Sequence, residues 1–168
     1  MPTDLRLDDR HLISEVTHRY ASGIDLRRWD LYRTCFTDPC TYDFSSWSGT
    51  PETTMPADAW VDNVRRLNGS FDATQHISAN HHITFDADPD QATCLSYMQA
   101  QHFFRPETMA DHDRAGEVNW CTLGGHYTNR LVREPDGWRI ARCQLTVTWD
   151  TGNRSIFAIA RAIGAGKD

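Results

Sequence analysis

From Thr74 onward the chain stops repeating every three or four residues and begins to alternate, and this change of period restricts its fold more than any other feature. Before it, Leu12, Ile13, Val16, Tyr20 and Ile24 mark one face of a helix. Asp8 or Asp9 is placed to cap that helix, and Gly23 to loosen its end. A short second helix carries Trp29, Tyr32, Cys35 and Phe36, and Asp38-Pro39 is expected to stop it. CTYDFSSW reads as a strand entering a polar loop, and residues 57–67 as a third helix with Trp60, Val61, Val64 and Leu67 inward, ended by Asn68-Gly69. After the change come QHISANHHITFD, ATCLSYMQAQHFF, WCTLGGHYTNRLVRE and WRIARCQLTVTWD, read as long strands joined by turns such as EPDGW. RPETMADHDRAGE is a polar loop long enough to serve as an entrance flap. The tail TGNRSIFAIARAIGAGKD is mildly helical and is expected to fray at its end.

Helices first and strands afterwards indicate an α+β fold, one domain over residues 1–168, with helices on one face of a curved antiparallel sheet. A sheet wrapped around a helix encloses a conical pocket, the natural place for a ligand. Six Trp, five Tyr and seven Phe among 168 residues are enough to line such a pocket. The tail's Ile156, Phe157, Ile159 and Ile163 need a surface to cover, either the mouth of the pocket or an interface.

Acidic residues outnumber basic ones 23 to 17 and no basic run stands out, which argues against a nucleic-acid partner. No apolar stretch is long enough for a membrane helix, and MPTDLRLDDR lacks the apolar core of a signal peptide. Cys35, Cys40, Cys94, Cys121 and Cys143 are odd in number and scattered, so they read as buried thiols of a cytoplasmic protein, with Cys35 paired to Cys40 as the one alternative.

The candidates for chemistry are polar residues on otherwise buried elements. Asp25 closes the apolar stripe of the first helix; it either faces inward or caps the second helix, and the two roles are compatible. His76 and His102 lie at the centres of two putative strands. With Asp25 they form an acid–base set, because imidazole takes and returns protons near neutral pH and a carboxylate fixes its tautomer. His81 and His82 point to opposite faces, while His76 and His82 share parity; no third ligand has metal-site spacing, so no metal is expected. His11, His18, His112 and His126 read as surface or loop residues. Tyr127 and Asn129 share parity, as do Tyr42 and Phe44, and each pair can line a cavity or form an ordinary outer-face pair. Gly124-Gly125 marks a bulge or a close backbone approach. GxSxG, Walker and dinucleotide fingerprints are absent, so no cofactor is called for.

RYASGIDLRRWDLYR, TYDFSSW, TQHIS, QAQHFF, GGHYTNRLVREPDGWRIAR and VTWDTGNRSIF together resemble the SnoaL-like branch of the NTF2-like superfamily, in its scytalone dehydratase-like group. The resemblance runs over residues 9–157 and implies a cone-shaped α+β barrel. It implies that Asp25 and His76 are the acid–base pair, that His102 is the second catalytic histidine, and that Tyr127 and Asn129 bind substrate. The group carries Tyr immediately before its Asp, where this chain has Ile24. Its other Tyr falls at Phe44, with Tyr42 two residues away, so its pair of phenols is missing or relocated. Trp149 completes the expected substrate-binding set.

The expected function is a cofactor-independent lyase or isomerase, dehydratase-like, acting on a small, mostly apolar, cyclic substrate. His76 removes a proton, Asp25 supports it, and His102 with a tyrosine serves the oxygen. The alternatives are a polyketide cyclase, a binding module without turnover, and the structural small subunit of a ring-hydroxylating oxygenase. A homodimer or homotrimer is expected by analogy with related sheets.

Overall fold

The structure is a computed structural model and describes residues 6–166. The fraying expected at the chain's end falls on residues 167–168, outside the described residues. Helices α1 (Leu7–Asp25) and α2 (Trp29–Arg33) lead into β1 (Phe36–Asp43), the short α3 (Ser45–Ser48), β2 (Thr53–Met55) and α4 (Ala57–Asn68). Then follow β3 (Ala73–Phe85), β4 (Gln91–Phe103), α5 (Pro106–Asp111), β5 (Trp120–Glu134), β6 (Gly137–Gly152) and α6 (Ile156–Ala165). The six strands form one curved sheet in the order β2-β1-β6-β5-β4-β3, with helices against its inner face.

Several local expectations are corrected. The β1–β6 pair is parallel, the one departure from an antiparallel sheet among the described strands. Asp38-Pro39 does not end a helix but lies within β1, where the ladder to β6 skips between Phe36 and Thr41, a place that tolerates a residue without an N–H. Asp38 Oδ1 accepts the N–H of Ala57 instead and so serves the start of α4. Neither Asp8 nor Asp9 caps α1: Asp9 binds Arg6, Arg133 and the Trp138 indole, fastening the helix to the β5–β6 hairpin. Leu12, expected to be inward, is exposed. The polar flap contains α5, anchored by buried Met109 and by Arg105 N and Thr108 Oγ1 donating to Asp72 at 2.7 Å. All five cysteines are free and buried. No described helix is long and apolar enough to cross a membrane.

Register decides what looks inward, because residues paired across strands share a face. Thr74 pairs with His102, His76 with Ala100, Ser96 with Tyr127, and Cys94 with Asn129. Beyond these, Tyr127 pairs with Leu145, and Asn129 with Cys143, itself opposite Tyr42. A bulge between Ala79 and His82 breaks the shared parity of His76 and His82, and His82 turns outward. A second bulge, between Gly124 and Gly125, seats the Trp149 indole over Gly124. The tail finds its surface within the chain: Ile156, Phe157 and Ile159 are buried, and α6 packs on α4.

Gly23 does not loosen α1. It is where α2 crosses it, and a Cβ there would stand 2.8 Å from Tyr32 Cβ. Gly23→Ala is expected to destabilise the fold by about 1–3 kcal/mol through overpacking, read as a lower urea midpoint at unchanged slope; an unchanged midpoint would refute the tight crossing.

Candidate active site

Asp25 ends α1 beside the open edge of β3. On an edge strand half the backbone N–H groups lack a ladder partner, and that of His76 is one of them. Asp25 Oδ2 accepts it at 2.6 Å. Oδ1 accepts His76 Nδ1–H at 2.7 Å and the Thr74 hydroxyl at 2.9 Å. Burial opposes the charge on Asp25, but the His76 ring, the His76 N–H and Thr74 outweigh it and hold the carboxyl below its ordinary range. Since Asp25 stays ionised, the ring hydrogen sits on Nδ1. In the neutral ring the lone pair is then on Nε2, which has no hydrogen-bond partner among the described residues. Arg27, in the left-handed region at φ 57°, donates to Phe71 O at 3.0 Å and Ile24 O at 3.3 Å, which brings a cation near Asp25.

His102 meets His76 edge-on, with ring centroids 5.6 Å apart, but its environment is different. It is 4% exposed and covered by Phe71 and Phe157, at 4.9 and 4.7 Å between centroids. Nε2 donates to Asn68 Oδ1 at 3.2 Å. Burial, then the nearby His76, push its pKa down to about 3. At neutral pH it is therefore an uncharged wall tied to Asn68, which corrects the expectation of a second proton donor.

Tyr127 and Asn129 are buried and line a small inner void together with Tyr20, His76, Ser78 and Ser96. The void is about 10 Å³, room for about one water. Ser96 Oγ and Asn129 Oδ1 are buried there without partners. Tyr20 donates to Tyr127 at 3.4 Å, and burial raises both phenols' pKa values, so both remain protonated. This is a phenol pair at Tyr20 and Tyr127, one turn before Ile24 rather than beside Asp25. Tyr42 stacks on Trp60 at 4.1 Å and Phe44 packs on Trp60 at 4.9 Å; neither lines the void. Trp149 is corrected outright. The extra residue at the Gly124–Gly125 bulge turns it to the outer face, 48% exposed. The conical chamber is thus mostly filled, and the large opening lies outside it. A groove of about 890 Å³ runs between α1 and β3, with Asp25 and His76 in its wall. Among the described residues no group of three His, Cys, Asp or Glu could hold a metal ion.

Thr74, Ser78, Ser96 and Asn68 escaped the sequence reading. Parity with His76 marks Thr74 and Ser78, whereas nothing local marks Ser96 or Asn68.

A helix-backed curved sheet carrying one carboxylate–imidazole pair defines a recognisable class, and a model of the SnoaL-like domain matches residues 5–144. The chain belongs to that family. It is similar to the Kfla4162 protein of Kribbella flavida, 33% identical, covering 91% of this chain and 98% of that one at TM-score 0.79. Two more distant structures share the fold alone. A candidate scytalone dehydratase of Novosphingobium aromaticivorans is 20% identical over 90% of this chain and 92% of that one, at TM-score 0.73. A type 3 hexachlorocyclohexane dehydrochlorinase of Novosphingobium barchaimii is 13% identical over 89% and 92%, at TM-score 0.70.

The two ionisable groups predict a pH response. His102 unfolds into a group of pKa 6.5 but is held to about 3 when folded, so the unfolded chain binds the extra proton between those values and stability falls as pH drops. Asp25 adds loss in the same direction below its unfolded value of 3.8. From about pH 7 to about pH 5 the His102 contribution alone is about 2 kcal/mol. Urea unfolding at both values should show the loss in the wild type and a flatter profile in His102→Gln; equal slopes would overturn the assignment.

Proposed function

We propose that this protein is a cofactor-independent acid–base catalyst of the lyase or isomerase kind, acting on a small, mostly apolar, cyclic substrate. One observation carries the reading: the 2.7 Å bond from His76 Nδ1 to an ionised Asp25, with no partner for Nε2 among the described residues. Nε2 takes a proton from carbon next to a carbonyl or leaving group. The C–H electron pair becomes an enolate or a new double bond, and a leaving group departs with its own pair. Asp25 fixes the tautomer and offsets the imidazolium charge that develops. The imidazolium then returns its proton to the leaving group or to another carbon. The Tyr127 hydroxyl, freed by accepting from Tyr20, donates to the developing oxygen, and the Asn129 amide orients it. Elimination from hexachlorocyclohexane, the reaction named for a distant structural relative, needs the same first step.

The test follows exchange of the α-protons of 2-tetralone in deuterated buffer by proton NMR. His76→Ala and Asp25→Asn should each slow exchange by at least about tenfold, since a positioned general base contributes about 10²–10⁴-fold, with the fold retained by circular dichroism. Equal rates in the wild type and both variants would end the reading. A second reading, a binding module without turnover, is favoured by the burial of His102, which leaves the pair without a second proton donor. A wild type that binds 2-tetralone and exchanges nothing would be that module.

A further inference from the structure

We propose that Arg27 is a positioning residue for the Asp25–His76 pair: its charge, passed on by the Thr74 hydroxyl, keeps the pair as carboxylate and neutral imidazole, the form that can take a proton. The inference rests on the reading of His76 as a general base and adds what keeps that base unprotonated near neutral pH.

The backbone comes first. Residues 26–28 carry the chain from α1 to α2, and Arg27 adopts φ 57°, a left-handed conformation that glycine enters freely and a side chain opposes. From that turn the Arg27 side chain folds back over the end of α1. Nη2 donates to Phe71 O at 3.0 Å, and Nη1 to Ile24 O at 3.3 Å and to Thr74 Oγ1 at 3.5 Å. Two carbonyls and a hydroxyl leave the guanidinium charge without a bonded carboxylate. Burial works against that charge, and the nearby Asp25 carboxylate works for it.

Thr74 transmits the effect. Its hydroxyl accepts from Arg27 and donates its own hydrogen to Asp25 Oδ1 at 2.9 Å, and a hydroxyl that accepts from a cation is the stronger donor. The same carboxylate oxygen accepts His76 Nδ1–H at 2.7 Å. A continuous chain therefore runs from Arg27 through Thr74 and Asp25 to His76.

The sign follows from charge. A carboxylate beside an imidazole draws a proton onto the ring, and a base already protonated removes nothing. A cation behind the carboxylate opposes further positive charge on either partner, so it resists the proton on His76 as it does on Asp25. The other groups around His76 do not supply this cation. His102 on β4 is neutral, with its ring 5.6 Å away, and Tyr20 on α1 and Tyr127 on β5 keep their protons. His18, exposed on α1, pairs with Glu15, and burial keeps His81 on β3 towards its neutral form. Arg28, Asp30 and Arg65 share an outer cleft with Arg27 and are exposed, so water screens them.

The test follows the His76 Cε1–H resonance by ¹H–¹³C NMR from about pH 5 to about pH 9. Arg27→Gln and, independently, Arg27→Gly remove the charge, and glycine suits φ 57°, so the turn survives in the second variant. Arg27→Lys keeps the charge and loses the fork. The titration midpoint should rise by at least about half a unit in both neutral variants, against about 1–3 units for a charge in direct contact, and by less than half as much with lysine. Thr74→Val, which leaves Arg27 in place, should raise it too. Exchange of 2-tetralone should slow by up to about threefold on the acid side of the neutral variants and match the wild type on the alkaline side, since half a unit is about a threefold change in the neutral fraction. Three results would overturn the proposal: an unmoved or lowered midpoint in either neutral variant with native amide dispersion, an unmoved midpoint in Thr74→Val, or a lysine shift as large as that of glutamine, the mark of a clamp on the turn alone. The two readings fail separately. A midpoint that rises in a protein without exchange sinks the catalytic reading and leaves the charge effect of Arg27 standing. Exchange that requires His76, with a midpoint indifferent to Arg27, sinks Arg27 alone.

Discussion

The structure turns on one carboxylate. Asp25 accepts three hydrogen bonds, from the backbone of β3, from a hydroxyl on the same strand and from an imidazole. An edge strand with unpaired N–H groups invites association with other chains, and a helix must stop somewhere; Asp25 answers both needs by ending α1 on the edge of β3. The Asp25–His76 pair is therefore also a fastening between helix and sheet. The backbone hydrogen bond to Oδ2 keeps the carboxylate beside the ring independently of the ring's own bond to Oδ1. Preorganisation of this kind keeps Nε2 aimed without further ordering when a ligand arrives.

Two neighbouring imidazoles would compete if both took up charge. With rings 5.6 Å apart, a second cation beside His76 would oppose the first. The fold removes the conflict by environment. His102 is sealed under Phe71 and Phe157 and donates to an amide oxygen, so it stays neutral, while His76 has a carboxylate. Residues of the same type on adjoining strands thus take opposite roles because one is closed off by α6 and the other faces α1.

The sequence showed much of this architecture because most of it is periodic. The stripe of α1, the span of α4 and the strands ending in Glu134 and Gly152 follow from spacing and turn residues. Asp25 and His76 were legible for a different reason: each is a polar residue where an apolar one would pack. The misses share a cause, since each depends on one extra or missing residue in a ladder or on a distant partner. A single bulge residue sends Trp149 outward, and another separates His82 from His76. Pro39 reads locally as a helix stop but sits in a strand irregularity. Asp9 carries the signature of a cap and is claimed instead by Arg133 and Trp138, more than a hundred residues away. The filling of the cone by aromatic side chains leaves no trace in period or composition.

The hydrogen-bond inventory also narrows the chemistry. Ser78 Oγ lies 3.2 Å from His81 Nε2, a geometry that in isolation reads as a nucleophile beside its base. The third partner decides otherwise. Thr17 spends its hydroxyl hydrogen on Ser14 O at 2.7 Å, so towards His81 Nε2, 3.2 Å away, it can only accept. The hydrogen is therefore on Nε2, and Ser78 accepts from it. Burial, then the neighbouring His18, lower the pKa of His81 and favour this neutral form. Ser78 is left unactivated but with its own proton free, and it lines both the groove and the inner void. Two residues apart on one face, β3 then offers a lone pair at His76 and a donor at Ser78. On the proposed function, such a strand suits moving a proton within a bound molecule better than attacking it.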